Sequence, residues 1–434
     1  MTLPMNRPHV PQSDTEATAS QLPAPNWGDL SATLGMRTAG VYLALWVATP
    51  FVQVVPLLGG MYRASLQWLV PRFAAVVLGN PNAYQPAATG SGDTTYNFAL
   101  AALLATLSLV GAIVWTRRAP MPLSPRITCW WHDVLRFGLA STLLSYGIAK
   151  VVPSQFAALD PSRLLQPLGD FTPMGLLWAF MGQSSMYQMF GGWCEVIPGV
   201  LLLFRRTGIV GAFLAVPVLV NVVALNLFYD VPVKLHSLHY LAMACALVLP
   251  ATGALWAAMT GASFTARQPH PVEPRAATVI RAVATTLLLL RGVGQLVMEV
   301  GSSDSMSNAG GDSTIHGIWA RVDQTGETPA WRTLAVSWRS SVWFDKDSSV
   351  FISIRADPKT HRLELPASVI KPPTGPRINT STITLNYTRL GDTLTLSSLP
   401  GDDSMRMTFH LRDPNAMRLL RGRFRWLQDY PDNR

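Results

Sequence analysis

The hydrophobic pattern of the chain changes character near residue 300. Between Thr38 and about Val300, long apolar runs are separated by short polar loops; from Asp312 to Arg434, apolar and polar positions mix at short range. Crossing a hydrocarbon layer takes about 20 apolar residues in a helix. Runs of that order cover Thr38–Gly60, Tyr96–Trp115, Trp130–Val152, Tyr187–Phe204, Thr207–Tyr229, Leu238–Met259 and Ala276–Met298, and they predict about seven transmembrane helices. Arg281 and Arg291 interrupt the last run, which spans only if both snorkel toward an interface. Two shorter runs, Ala64–Gly79 and Met174–Gln183, carry Trp68 and Trp178 and fit interfacial or re-entrant helices.

Past the segment Gly301–Gly311, which reads as a flexible linker by composition, the period falls to two. Met405, Met407, Phe409 and Leu411 interleave with Arg406, Thr408, His410 and Arg412, and Ile383, Leu385 and Tyr387 interleave with Thr384, Asn386 and Thr388. That alternation marks strands with one buried face. Leu390–Gly391–Asp392 supplies a hairpin turn. About eight short strands fit, predicting a small all-β antiparallel barrel or sandwich. The expected organisation is a polar N-terminal segment (1–37), two flanking helices with an interfacial helix (38–129), a four-helix core (130–260), a seventh helix (276–300), a linker (301–312) and a β domain (313–434).

Composition supports lipid as one of the two solvents. Only 14% of the 434 residues are charged and 49% are hydrophobic, where soluble domains carry about a quarter charged. The net charge of +9 gathers in alternate loops, at Arg117, Arg118 and Arg126, at Arg205 and Arg206, and at Arg267 and Arg275. The positive-inside rule then places the N-terminus in the cytoplasm and the β domain outside, in a bacterial-type inner membrane. No basic face suggests a nucleic-acid partner; Arg418, Arg421, Arg423 and Arg425 read as a solvated strand face. Residues 1–30 lack the architecture of a cleaved signal peptide. Cys129, Cys194 and Cys245 form no CxxC pair and read as buried free thiols.

The chain has no Walker loop, GxGxxG, HExxH or GxSxG, and catalytic residues are not assigned. Ionisable residues inside apolar spans are the remaining candidates, because they are costly there and usually face a bundle interior or a wet cavity. Glu195 lies about eight residues into the fourth run. Tyr146 and Lys150, four apart on one helical face, occupy the end of the third run, followed by Gln155. Asn226 and Asp230 end the fifth, and Lys234 and His239 begin the sixth. Span order brings all eight to the outer half of the membrane, where they form a candidate ligand-binding cluster. Singly, the lysines and Asp230 are equally explained as interfacial anchors and Glu195 as a tie between helices. His236 and His239 with Glu195 do not amount to a metal site, and none is assigned.

The stretches YGIAKVVPSQF (146–156), FMGQSSMYQMFGGWCEVIPGVLLLFRR (180–206) and NVVALNLFYDVPVKLHSLHYLAM (221–243) resemble the DoxX-like family of four-helix membrane proteins, over a little more than a quarter of the chain. The ending RGRFRWLQDYPDNR resembles the tail of larger members with flanking spans and a C-terminal β domain. Gly317–Ile318–Trp319 resembles the GxW opening of lipocalin-like barrels. The resemblance implies a four-helix core from Trp130 to Met259 and a membrane subunit linked to redox or thiol-handling systems, with quinone as a possible cofactor. Three functions follow as expectations: a redox-linked subunit binding a quinone or small apolar ligand in an outward-facing polar cavity; a lipid or apolar-metabolite transfer protein; or an assembly partner for other membrane or extracytoplasmic proteins.

Overall fold

A computed structural model of the protein describes residues 27–81, 90–119, 125–261, 275–308, 315–326, 331–337, 340–343, 349–352, 354–357, 359–366, 382–399, 405–417 and 419. Its first part is helical: α1 (Trp27–Val54), α2 (Leu58–Val77), α3 (Thr95–Arg118), α4 (Pro125–Val151), α5 (Pro161–Leu165), α6 (Pro173–Gln183), α7 (Ser185–Leu203), α8 (Gly208–Phe228), α9 (Lys234–Val248), α10 (Thr252–Thr260) and α11 (Arg275–Asn308). Five segments are long and apolar enough to cross a membrane: Thr95–Arg118, Arg126–Val151, Gly208–Phe228, Lys234–Ala254 and Arg275–Gly301. Helices α1 and α7 belong to the same bundle by packing. In α7, Gln188, Gly191, Gly192 and Glu195 dilute the apolar content.

Local chemistry sets many of the boundaries. The hydroxyls of Thr94, Thr172 and Ser184 accept from the third backbone N–H beyond them, capping α3, α6 and α7. The first predicted run proves to be two pieces. Pro56 and the left-handed Leu57 (φ 61°) separate α1 from α2, so the helix ends at Val54 instead of continuing to Gly60, and it begins at Trp27, within the segment expected to be polar and irregular. A 3₁₀ turn over Leu249–Ala251 carries Pro250 and divides the sixth predicted run between α9 and α10. The predicted linker is also corrected: α11 continues through Asn308, because extending an existing helix costs far less than nucleating one.

Helices α4 and α11 run parallel. Asp133, Ser141 and Ser145 on α4 meet Arg281, Arg291 and Gln295 on α11, an offset of 148 to 150 residues at every rung. Helix α7 runs antiparallel to α4, with the Arg136 guanidinium donating to the Leu202 carbonyl at one end and Lys150 meeting Glu195 near the other. The pairing of α4 with α7 is unusually close. A Cβ on Gly192 would lie 2.7 Å from the Val151 nitrogen and 2.8 Å from the Gly147 carbonyl oxygen, so only glycine permits this crossing.

The second part is a nine-stranded antiparallel sheet: β1 (Gly317–Gly326), β2 (Thr333–Val336), β3 (Ser340–Trp343), β4 (Ser349–Ile352), β5 (Arg355–Asp357), β6 (Arg362–Pro366), β7 (Thr382–Leu390), β8 (Thr393–Ser397) and β9 (Met405–Arg412). Its spatial order is β4-β3-β2-β1-β9-β8-β7-β6-β5. It curls as a half-barrel, and β4 and β5 remain edges among the described residues. Gly391, at φ 58°, opens the two-residue turn between β7 and β8, the position where a primed hairpin turn needs glycine. Trp319, Leu385, Leu394, Met407 and Phe409 fill the concave side, and the Trp319 indole N–H donates to the Ile315 carbonyl at 2.8 Å. Arg418, Arg421, Arg423 and Arg425 lie outside the described residues.

The sheet sits at the end of the bundle where α4 terminates. The hydroxyl of Ser341 donates to that of Ser162 on α5 at 2.9 Å, and Ser337 reaches the Asp160 carboxylate at 3.4 Å. Asp160 also caps α5. The Gln183 amide at the end of α6 donates to the Leu419 carbonyl at 2.8 Å.

Candidate functional site

The eight sequence-selected residues lie at the β-domain end of the bundle, but in separate places. Lys150 Nζ sits 2.9 and 2.7 Å from the two Glu195 carboxylate oxygens, and both side chains are nearly enclosed. The Tyr146 ring lies 5.7 Å from the same ammonium. Two turns earlier on α7, the Gln188 amide exchanges two 3.1 Å hydrogen bonds with the Phe156 backbone. Gln188, Gly192, Glu195 and Gly199 therefore form one stripe at helical spacing, turned entirely toward α4. A two-point ion pair beside a glycine crossing is what a tie between helices requires.

Asp230 and Lys234 form a second, exposed group. Lys234 Nζ is 2.7 Å from Asp230 and 3.7 Å from Asp93. Asp93 was not among the sequence candidates, yet its carboxylate accepts from the backbone N–H groups of Lys234 and Leu235, each at 2.9 Å. It is the N-terminal cap of α9, delivered from the loop before α3. Asn226 contributes its carbonyl to the adjoining turn, accepting from the Val231 N–H at 3.0 Å. The Gln155 Oε1 is buried with no partner among the described residues.

His239 belongs to a third group. Its ring stacks on Trp46 of α1 at 3.9 Å between centroids and 13° between planes. Nδ1 faces the Leu235 carbonyl at 2.6 Å, an acceptor only, so Nδ1 carries the proton and Nε2 accepts from the Tyr42 hydroxyl. A histidine so engaged is a link between α9 and α1. The single outer cavity expected from Glu195, Lys150, Asp230, Lys234 and His239 is thus resolved into three local structures. Opposite charges satisfy one another within four residues or across one helix contact before they can converge.

The cavity lies elsewhere. A cleft of about 1240 Å³ opens between α1, α4, α9 and α11, with α2 and α3 completing its wall, and of the eight candidates only Tyr146 lines it. Trp46, Phe137, Tyr240 and Leu288 give it apolar walls, while Ser141, Thr142, Ser145, His236 and Arg291 supply polar groups. The His236 Nδ1 is buried there with no partner among the described residues. A second hollow of about 260 Å³ shares Val47, Phe51, Phe137, Gly138 and Ala284 with the first and ends at Asp133 and Arg281. At that end Asp133 bridges Arg136, at 2.9 Å, and Arg281, all three buried. Of the two arginines that interrupt the last run, Arg281 is buried against Asp133, and the exposed Arg291 donates to Ser141, so both turn back onto α4. The available signal was their phase, since Arg281, Thr285, Leu288, Arg291 and Gln295 recur every three or four residues and define one face of α11.

Comparison with known proteins places the chain beside one curated relative. It is 37% identical over 99 residues to the uncharacterized protein YwoB of Bacillus subtilis (strain 168). The matched stretch is 23% of this chain and 62% of that protein, so the chain spans less than two thirds of its relative. No protein-family model and no solved structure matches.

Proposed function

We propose that the chain is a DoxX-like integral membrane protein that binds an apolar or amphiphilic small molecule, of the quinone or lipid class, in the cleft between α1, α4, α9 and α11. The observation that carries this reading is the cleft itself. It is larger than the roughly 300–1,000 Å³ of ordinary small-molecule sites, and it combines apolar walls with a few converging polar groups, the usual composition of such a site. In this reading α1, α3, α4, α7, α8, α9 and α11 are the seven spans, the N-terminus is cytoplasmic, and the β domain covers the outer mouth. A redox-linked role rests on the family resemblance alone and adds a partner protein that would deliver or accept electrons.

Two measurements test the reading. A reporter that works only outside the cytoplasm should be active when fused after Arg434 and silent after Arg206; equal activity at both positions defeats the orientation. Native mass spectrometry of the protein extracted in mild detergent should show a bound quinone or lipid. Ala284→Trp, which fills the junction of the two hollows, should melt like the parent but lose that mass. An empty parent protein, or an unchanged load in the variant, defeats the cleft as a binding site.

A further inference from the structure

The charge balance of the cleft narrows what it holds. Two arginines line it, Arg63 on α2 and Arg291 on α11, together with His236, and the lining contains no aspartate or glutamate. Several other bundle cations are matched by carboxylates, although the buried Arg37 donates to the Thr116 hydroxyl at 3.1 Å. Arg136 and Arg281 share Asp133, Lys150 has Glu195, and Lys234 has Asp230 and Asp93. Arg291 is different. Among the described residues its guanidinium donates only to the neutral Ser141 hydroxyl, at 2.8 Å, and Arg63 has no partner.

The Arg291 side chain is exposed, and in the membrane reading proposed above its position makes this costly. At 1.5 Å per residue it lies about 15 Å from Gly301, well inside the apolar segment Arg275–Gly301. A cation at such a place is expected to have a partner, and the planar guanidinium is suited to a carboxylate or phosphate gripped at two points. A neutral quinone would occupy the space and leave the charge unanswered. From Arg291 the α11 wall continues through Leu288, Leu287 and Ala284 to the smaller hollow, opposite Val47, Phe51 and Phe137. An apolar groove therefore begins where the unmatched cation sits.

Resting on the cleft as a ligand site, we propose that its occupant is an acidic amphiphile. The Arg291 guanidinium, beside Ser141, holds the carboxylate or phosphate head, and the alkyl chain lies in the groove between α1, α4 and α11. Fatty acids and anionic phospholipids both present this chemistry.

The test uses the full-length protein in neutral detergent and two matched pairs of probes: palmitate against palmityl alcohol, and phosphatidylglycerol against phosphatidylcholine with the same chains. Native mass spectrometry should show the acidic member of at least one pair retained roughly tenfold or more over its neutral counterpart, the weight of one charge-assisted hydrogen bond. Preference within the first pair alone identifies a free acid as the source, and within the second a phospholipid. Arg291→Gln should abolish the preference while Arg291→Lys keeps it. Equal retention of acidic and neutral probes overturns the proposal but leaves the cleft a lipid or quinone site. Retention of no probe by a protein that also purifies empty overturns both readings. A preference that survives Arg291→Gln overturns the assignment of the headgroup. If Arg291→Gln fails to melt cooperatively, the acidic-to-neutral ratio of the parent protein decides alone.

Discussion

In the β domain the enclosed side chains include Trp319, Trp331, Leu363, Leu394, Met407 and Phe409, and among the described residues the buried polar ones are three serines near the contact with α5. In the bundle the exposed side chains include Phe180, Phe190, Phe228, Leu290 and Val297, while Asp133, Arg136, Glu195 and Arg281 are buried. One part hides its apolar atoms and the other displays them. We read the difference as one of solvent, with lipid around the bundle as proposed above. In water, apolar burial is the main driving force. Between helices in lipid that force is absent, so close packing of small residues and polar bonds must hold the segments together. The glycine crossing of α4 with α7 and the polar ladder between α4 and α11 are the two forms that cohesion takes here.

The contrast should show most strongly at Asp133. Asp133→Ala leaves Arg136 and Arg281 buried without a counter-ion and is expected to cost about 3–5 kcal/mol, read as a lowered melting temperature in detergent. Changing Arg281 to Met in the same protein should restore part of it. A loss below about 1 kcal/mol would mean that water reaches this site and that the polar core is not a dry one.

Glu195→Gln strands Lys150 in the same way, though beside a slightly more open surface. A loss on the order of 2–4 kcal/mol is expected, and Lys150→Met added to it should recover much of the difference. If the melt is unchanged, the pair is not a tie between helices, and a ligand role for Glu195 returns.

Glycines sharpen the comparison at smaller amplitude. Gly192→Ala drives a Cβ into the α4 backbone, which has no flexible atom to yield, so α4 and α7 must part, at about 1–3 kcal/mol. Gly391→Ala meets open space and carries only the strain of a left-handed conformation, about 1 kcal/mol. The reverse order would indicate that helix packing in the bundle is looser than its geometry implies.

Smallest of all are the exposed apolar positions. Val322→Ser should change stability by no more than about 0.5 kcal/mol. Leu290→Ser should measurably lower membrane insertion of α11, where leucine contributes about half a kcal/mol favourably. Equal indifference at both positions would remove the case for two solvents.

Much of the fold was legible because it depends on local periodicity. Apolar runs of helical length became helices, the alternation around Met407 and Phe409 became β9, and Gly391 sat at its turn. The failures have physical causes. Pro56 and Leu57 break a run whose hydropathy does not change, and α11 overrides the polar composition of its last turns. The candidate site was legible only at the level of depth along the helices. Lys150 and Glu195 do meet, but for cohesion, and the capping aspartate, Asp93, comes from a loop 141 residues away from the helix it serves. The cleft was hidden because its walls come from six helices. Spacing marks a face of α11, but its register against α4 is set by Ser141 and Ser145, 150 residues from their partners, and no spacing within either helix reveals it.

Pairing β1 with β9 brings the beginning and the end of the sheet side by side. The chain enters from α11 and leaves toward Leu419, which is bonded back to Gln183 of the bundle. A unit whose two ends are neighbours can be gained, lost or exchanged in a single genetic event without rethreading anything around it. The half-barrel is in that sense a detachable module, and the helices beneath it can evolve on their own schedule.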